Sequence, residues 1–259
     1  GEYPAVLAGF LPFRVFIRVT NLPDMLQANQ PLVYRYFINA LKKNICIFPS
    51  KYFEDIFPVQ IPNSIVLPTP FVPSDFLASP PQENSTSLRF IAVGQLNYQK
   101  NHEYMIQTFY SYVTQYAPTS TLYIYGDGPL RDKLASLIKS LEMTQNIFLM
   151  GWNSHPWTDQ PFDFHLLTSR WEGYPNVIVE SCNYSIPTLS LLIPPGIHSL
   201  ISINHIGLSS YDNSPDAFVS LLSQASHELK SQFLNTRHFR DFVASHSPEL
   251  LTSIIKDYV

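Results

Sequence analysis

Apolar positions fall into short runs separated by polar, proline-bearing or glycine-bearing stretches, and the spacing inside the runs alternates between that of strands and that of helices. Residues 13–19 (FRVFIRV), 44–48 and 64–67 are short apolar runs and predict strands, with a helix over 32–43 between the first two. Pro68, Pro70, Pro73, Pro80 and Pro81 then follow among Ser, Asn and Thr up to Ser87. Such a stretch continues neither a helix nor a central strand, so a domain boundary is expected there, dividing 1–70 from 71–259.

Beyond the boundary the alternation becomes regular. A strand over 88–93 precedes a helix over 103–116, in which Met105, Phe109, Tyr112 and Tyr116 recur at helical spacing and form one buried face. A strand over 121–125 runs through Gly126, Asp127 and Gly128 into a helix carrying Leu130, Leu134, Leu137, Ile138 and Leu141, with Pro129 suited to its first turn. Further strands are expected at 147–150, 164–168 and 188–192, a helix beginning with Pro175 at its first position, and a final helix over 248–258. Strand and helix in alternation require parallel pairing, because parallel neighbours need a crossover connection. The fold class is therefore α/β with a doubly wound parallel sheet, and its ligands belong outside the carboxyl ends of the strands.

Composition narrows the partners. Hydrophobic residues make up 45% of the 259 and charged residues only 14%, against roughly 25% charged in an average domain. A net charge of -4 without a long Lys/Arg run argues against nucleic acid, which calls for a concentrated basic face. Cys46 and Cys182 lack metal spacing and read as buried apolar residues of a reducing compartment. No HExxH or comparable histidine spacing occurs, so no metal is expected. The apolar stretch 3–19 is broken by Pro12, Arg14 and Arg18, which suits neither a membrane span nor a signal peptide. The chain opens on Gly1 inside an apolar run, and a fragment of a longer protein is expected.

Of nine glycines, Gly94, Gly126, Gly128, Gly151 and Gly173 fall at or just after the carboxyl ends of predicted strands. Glycine lets backbone approach a ligand closely, which makes that edge the expected seat of a phosphate-bearing ligand. Strand-to-helix turns also recruit glycine for their own geometry, and no Walker loop is present. Two elements could receive a diphosphate: Lys100, in the loop after the strand over 88–93, and the helix start at Pro175. Glu172 and Glu180 flank that start, and a pair of carboxylates near a sugar also raises a glycosidase reading. An eight-residue helical interval would separate them by ~12 Å, beyond the roughly 5 to 9.5 Å of hydrolase pairs.

In family order, residues 93–101 (VGQLNYQKN), 125–130 (YGDGPL), 150–152 (MGW) and 169–180 (SRWEGYPNVIVE) resemble the motifs of the retaining GT-B glycosyltransferases of the large group-4 family, the glycosyl transferases group 1 domain. The likeness covers residues 88 to the C-terminus and, more loosely, the strands before. It implies a GT-B fold with 71–259 as the nucleotide-sugar-binding domain and 1–70 as the end of an incomplete Rossmann-like acceptor-binding domain, onto which the last helix returns. It further implies that Lys100 contacts the donor diphosphate, that Glu180 hydrogen-bonds the ribose, and that Glu172 with the backbone of Tyr174, Pro175, Asn176 and Val177 positions the sugar. Gly94, Gln95, Gly126, Gly128, Gly151 and Trp152 would line the donor cleft. By the same likeness Lys100 and Glu172 are the catalytic candidates, and transfer proceeds with retention and without a metal.

Three positions depart from the pattern. Gln95 replaces an arginine of the family, Ser185 replaces a glycine, and residues 191–196 (LLIPPG) replace an aspartate-containing turn. The expected function is transfer of a hexose or N-acetylhexosamine from a nucleoside-diphosphate sugar, a UDP-sugar for example, to a glycan or lipid-linked acceptor of polysaccharide biosynthesis. No cofactor is expected beside that donor substrate. The setting is cytoplasmic, with peripheral contact at the inner membrane face. A non-catalytic nucleotide-sugar-binding or interaction domain is the alternative that Gln95 keeps open, and a nucleotide-sugar epimerase is a third.

Overall fold

The computed structural model describes residues 16–19, 31–49, 51–55, 57–69, 87–193 and 197–248. They belong mainly to two compact units, one within residues 1–70 and one within 71–247. In the first, β1 (Phe16–Arg18), β2 (Ile45–Phe48) and β3 (Ser64–Val66) form a parallel sheet in the order β1-β2-β3. The helix α1 (Pro31–Lys43) connects β1 with β2, and the short α2 (Lys51–Asp55) follows β2. Phe37, Ile38 and Leu41 recur along α1 and are buried with Ile17, Cys46 and Phe48. The RVTN element at 18–21 lies mostly outside the described residues, as does the predicted final helix after Pro248.

The second unit is built on six parallel strands in the order β6-β5-β4-β7-β8-β9. These are β4 (Arg89–Val93), β5 (Thr121–Tyr125), β6 (Ile147–Gly151), β7 (Phe164–Leu167), β8 (Thr188–Ser190) and β9 (Gly207–Ser209). Between them run α3 (His102–Gln115), α4 (Arg131–Ser140), a 3-10 turn (Pro156–Thr158), α5 (Asn176–Asn183) and α6 (Ile197–Ile203). The helices α7 (Pro215–Ser223), α8 (His227–Leu234) and α9 (Arg237–Ala244) follow. The chain builds outward from β4 to β6, then returns to the other flank of β4 and builds outward again. That reversal opens a crevice between the carboxyl ends of β4 and β7.

Side chains alternate across the sheet. Phe90, Ala92, Leu122 and Ile124 enter the large core with Met105, Ile106, Phe109 and Tyr112 of α3, whereas Ile91 and Tyr125 join Trp157, Phe162, Tyr184 and Ile186 in a second cluster. Buried on both flanks, these central strands read as near-continuous apolar runs. Phe90 meets Phe109 and Tyr112 edge-on, with ring centroids 5.5 and 5.7 Å apart. Contacts of this kind add about 0.5–1.5 kcal/mol each beyond the buried area.

Two expected boundaries are corrected. The strand predicted over 188–192 ends at Ser190, because the Asn213 side chain takes over both backbone groups of Leu192, at 2.9 and 3.0 Å. Pro175 is the N-cap of α5 and not its first residue: its ψ of 94° is extended, and the helix opens at Asn176. Cys46 and Cys182 are both buried and unpaired, and burial raises both thiols, that of Cys46 to about 12.

Candidate active site

The loop after β4 is fixed to its neighbours by backbone. The Gly94 and Leu96 N–H groups donate to the carbonyls of Tyr125 and Asp127, both at 2.9 Å. Gly126 has φ 136°, and a Cβ there would lie 1.9 Å from the Gly94 oxygen; at Gly128 a Cβ would lie 2.5 Å from the Leu96 oxygen. Only glycine fits two strand ends brought so close. A cavity of about 320 Å³ opens beside them, lined by Val93, Gly94, Gln95, Tyr125, Gly126, Asp127, Trp152 and Asn153. Gln95 turns its amide oxygen toward the Asn97 amide, at 3.0 Å. Trp152 is exposed.

On the β7 side, the Lys100 ammonium donates to Glu172 Oε1 at 2.7 Å, and Ser169 Oγ donates to the same oxygen at 2.5 Å. The pair sits where the loops after β4 and β7 meet, in the crevice that the strand order creates. Three more bonds join those loops: Gln99 Nε2 to the Trp171 carbonyl at 3.0 Å, Arg170 N–H to the Gln99 carbonyl at 2.8 Å, and Thr168 Oγ1 to the Lys100 carbonyl at 3.3 Å. The Lys100 stem runs close past Gly94, whose Cβ position lies 3.3 Å from Cε. One ammonium hydrogen holds Glu172, and an ammonium carries three.

His102 and His165 lie beneath this charge. Burial first and the Lys100 cation second hold them neutral, at about 4 and about 3. His165 Nδ1 shares a hydrogen bond with Thr188 Oγ1 at 3.1 Å.

Glu180, on α5, is kept apart from the Lys100–Glu172 pair by a different partner: the Trp157 indole N–H donates to its Oε2 at 3.1 Å. Tyr174 points its hydroxyl toward His246 Nε2, at 3.1 Å, so what it offers at the start of α5 is backbone. Val177 is partly buried against the core. Arg131 brings its guanidinium beside Gly151, and its Nη1 is buried without a hydrogen-bond partner among the described residues. Among the described residues no three His, Cys, Asp or Glu side chains gather closely enough to hold a metal ion, and no helix is long and apolar enough to cross a membrane.

Gly94, Gln95, Gly126 and Trp152 thus share one cavity, Lys100 and Glu172 share an ion pair, and Glu180 stands with Trp157. Sequence reasoning missed Asn153, Trp157 and Arg131 and gave no role to Tyr125, Asp127 and Ser169, which it quoted only as members of motifs. Ser169 was legible in its i to i+3 spacing from Glu172. Trp157 lies in an aperiodic loop and left no such signal.

The family model for glycosyl transferases group 1 matches residues 73–233. An uncharacterized glycosyltransferase of Methanocaldococcus jannaschii is 34% identical over 105 residues, 40% of this chain and 26% of that protein. The N-acetylgalactosamine-N,N'-diacetylbacillosaminyl-diphospho-undecaprenol 4-alpha-N-acetylgalactosaminyltransferase of Campylobacter jejuni is 29% identical over 133 residues, 51% of this chain and 35% of that protein. The chain therefore spans well under half the length of these relatives. In fold it is similar to Anabaena HepE in complex with UDP, with a TM-score of 0.80 at 14% identity over all of this chain and 76% of that one. The matched family residues run through the unit that holds the cavity and the ion pair, and the chain belongs to the glycosyl transferases group 1 family, on the GT-B fold.

Proposed function

We propose that this chain is the donor-binding part of a retaining glycosyltransferase that moves a hexose or N-acetylhexosamine from a nucleoside-diphosphate sugar to a glycan or lipid-linked acceptor. The observation that carries the reading is the part-buried Lys100–Glu172 pair in the crevice at the strand-order reversal, beside a cavity walled by Gly94 and Gly126. In this reading the nucleoside occupies the cavity, and the remaining Lys100 hydrogens receive charge that builds on the departing diphosphate. Glu172 holds the ammonium in place and, with the backbone at the start of α5, seats the sugar. Glu180 takes the ribose hydroxyls. Arg131 adds positive potential near Gly151.

The names of the relatives support the acceptor class, one of them acting on a diphospho-undecaprenol-linked sugar, and the UDP held by HepE supports a uridine donor. The buried, unpaired cysteines support the cytoplasmic side, where such an acceptor would bring the protein to the inner membrane face. Gln95 on the cavity wall favours a second reading, a binding domain without turnover.

Calorimetry with UDP, GDP and ADP tests the first step. One diphosphate should bind in the micromolar range, about -8 kcal/mol, and Lys100→Met/Glu172→Gln should weaken it by at least about ten-fold. Failure of all three to bind, or binding untouched by the double substitution, would overturn the reading. Turnover of the corresponding sugar nucleotide by the full-length protein with a lipid-diphosphate acceptor, followed by NMR of the anomeric proton, separates enzyme from binder and retention from inversion.

A further inference from the structure

The loop between β6 and β7 does more than connect two strands. At its start Trp152 and Asn153 wall the cavity. Further on, the 3-10 turn is pinned at two points: the Trp157 indole N–H donates to Glu180 Oε2 at 3.1 Å, and the Tyr125 hydroxyl donates to Asp159 Oδ2. Tyr125 is itself part of the cavity wall. One short turn therefore ties a cavity-wall strand to the helix that bears Glu180.

Trp157 is well held for this task. It is 4% exposed, stacks on Tyr184 with centroids 6.5 Å apart, and meets His165 edge-on at 5.4 Å. It belongs to the same buried cluster as Tyr125, against which Val93 packs, and both of these line the cavity. An indole has a single N–H donor and no acceptor, so it engages the carboxylate in only one way. A glutamate carboxylate accepts through two oxygens, and fixing Oε2 leaves Oε1 to face a ligand without first losing side-chain freedom.

We propose that Trp157 is a positioning residue for nucleotide binding: its indole N–H orients the Glu180 carboxylate toward the ribose diol of a nucleoside diphosphate, so that Trp157 sets the preference for ribose over 2′-deoxyribose. The inference rests on the reading that Glu180 takes the ribose hydroxyls, and the test separates the two. The chain and its variants are titrated with whichever of UDP, GDP and ADP the parent binds most tightly, and with the matching 2′-deoxynucleotide. The ratio of the two dissociation constants is the readout.

Glu180→Ala should collapse the ratio toward one. Trp157→Phe keeps the stacked ring and removes the N–H, and should lower the ratio by about ten-fold, the worth of one hydrogen bond to a charged group, while thermal unfolding stays cooperative. A merely structural tryptophan would weaken both nucleotides alike and leave the ratio at the parent value. A ratio unchanged in Trp157→Phe but lowered in Glu180→Ala overturns the role of Trp157 alone. A ratio unchanged in Glu180→Ala, or a parent that binds no diphosphate, overturns the reading beneath it as well. Should Trp157→Phe fail to fold, Trp157→Tyr is scored by the same ratio.

Discussion

Lys100 and Glu172 have side chains only 20% and 7% exposed and meet at 2.7 Å, so each is the other's main charge partner away from solvent. Removing one partner of a buried pair leaves an uncompensated charge and costs about 3–5 kcal/mol, whereas replacing both with neutral groups of similar shape is often close to neutral. Lys100→Met alone should therefore lower stability by up to about 3 kcal/mol, the lysine being only part-buried, seen as a shifted urea midpoint. Lys100→Met/Glu172→Gln should recover most of that loss, since the amide oxygen introduced by Glu172→Gln can still accept from Ser169. A double variant no more stable than the single one would mean that the pair is not coupled. For the same reason a loss of activity in a lone Lys100 variant says little about phosphate until its folding has been measured. Gly126 admits a sharper expectation. Its φ of 136°, and a Cβ position 1.9 Å from the Gly94 oxygen, set Gly126→Ala among the strained substitutions, at about 3 kcal/mol or more. Thermal melting should show this together with loss of nucleotide binding, because the same contact shapes the cavity wall.

At the scale of elements, helix starts divide into two kinds. Ser214, Ser226 and Thr236 cap α7, α8 and α9, each side chain accepting the N–H three residues on, at 3.2, 3.0 and 3.1 Å. The helices that follow β4, β5 and β7 have Asn101, Leu130 and Pro175 at the N-cap, none with a side-chain cap bond. The helices after β9 thus close their own ends, and those that follow β4, β5 and β7 do not. Ser226→Ala should cost about 1 kcal/mol and lower the melting temperature by about 2–4 °C without altering nucleotide affinity; an affinity change would show that α8 communicates with the site. This division also explains what could be read from the chain. Phe90, Leu122 and Phe164 sit in strands buried on both sides, and their apolar runs announced β4, β5 and β7. Between residues 192 and 247 no element was read from the sequence: β9 is three residues long and carries no period, and the short capped helices after it were not recognised. Of the site, the Glu172–Glu180 spacing and Lys100 were visible as sequence. The partition between them was not: that Glu172 turns to Lys100 and Glu180 to Trp157 depends on loops meeting across a crossover, 72 positions apart in the one case and 23 in the other.

For the molecule as a whole, the two buried histidines set a limit on acid tolerance. An unfolded histidine protonates near 6.5, while His102 and His165 in the fold do so only at about 4 and about 3. Their folded values are depressed, so the unfolded chain binds more protons throughout the interval between. The associated stability is fully present above 6.5 and is lost as pH falls toward 4 for His102 and toward 3 for His165. Each such proton contributes a slope of about 1.4 kcal/mol per pH unit, so the two together steepen the loss to about 3 kcal/mol per pH unit between roughly pH 6 and 4. Against a typical total of about 5–15 kcal/mol, such a loss is a sizeable fraction of the stability. Urea unfolding followed by circular dichroism at pH 7.5, 6 and 5 should show the loss. His102→Asn and His165→Gln remove the titration while keeping a polar side chain, and each should flatten the slope by about 1.4 kcal/mol per unit, even if its stability at pH 7.5 is lower than the parent's. A slope equal to the parent's in both variants would show that neither ring is held neutral. Because the Lys100 cation contributes to both depressions, Lys100→Met/Glu172→Gln should raise both histidine values and move the acid transition to lower pH, linking the charge at the crevice to the stability of the sheet beneath it.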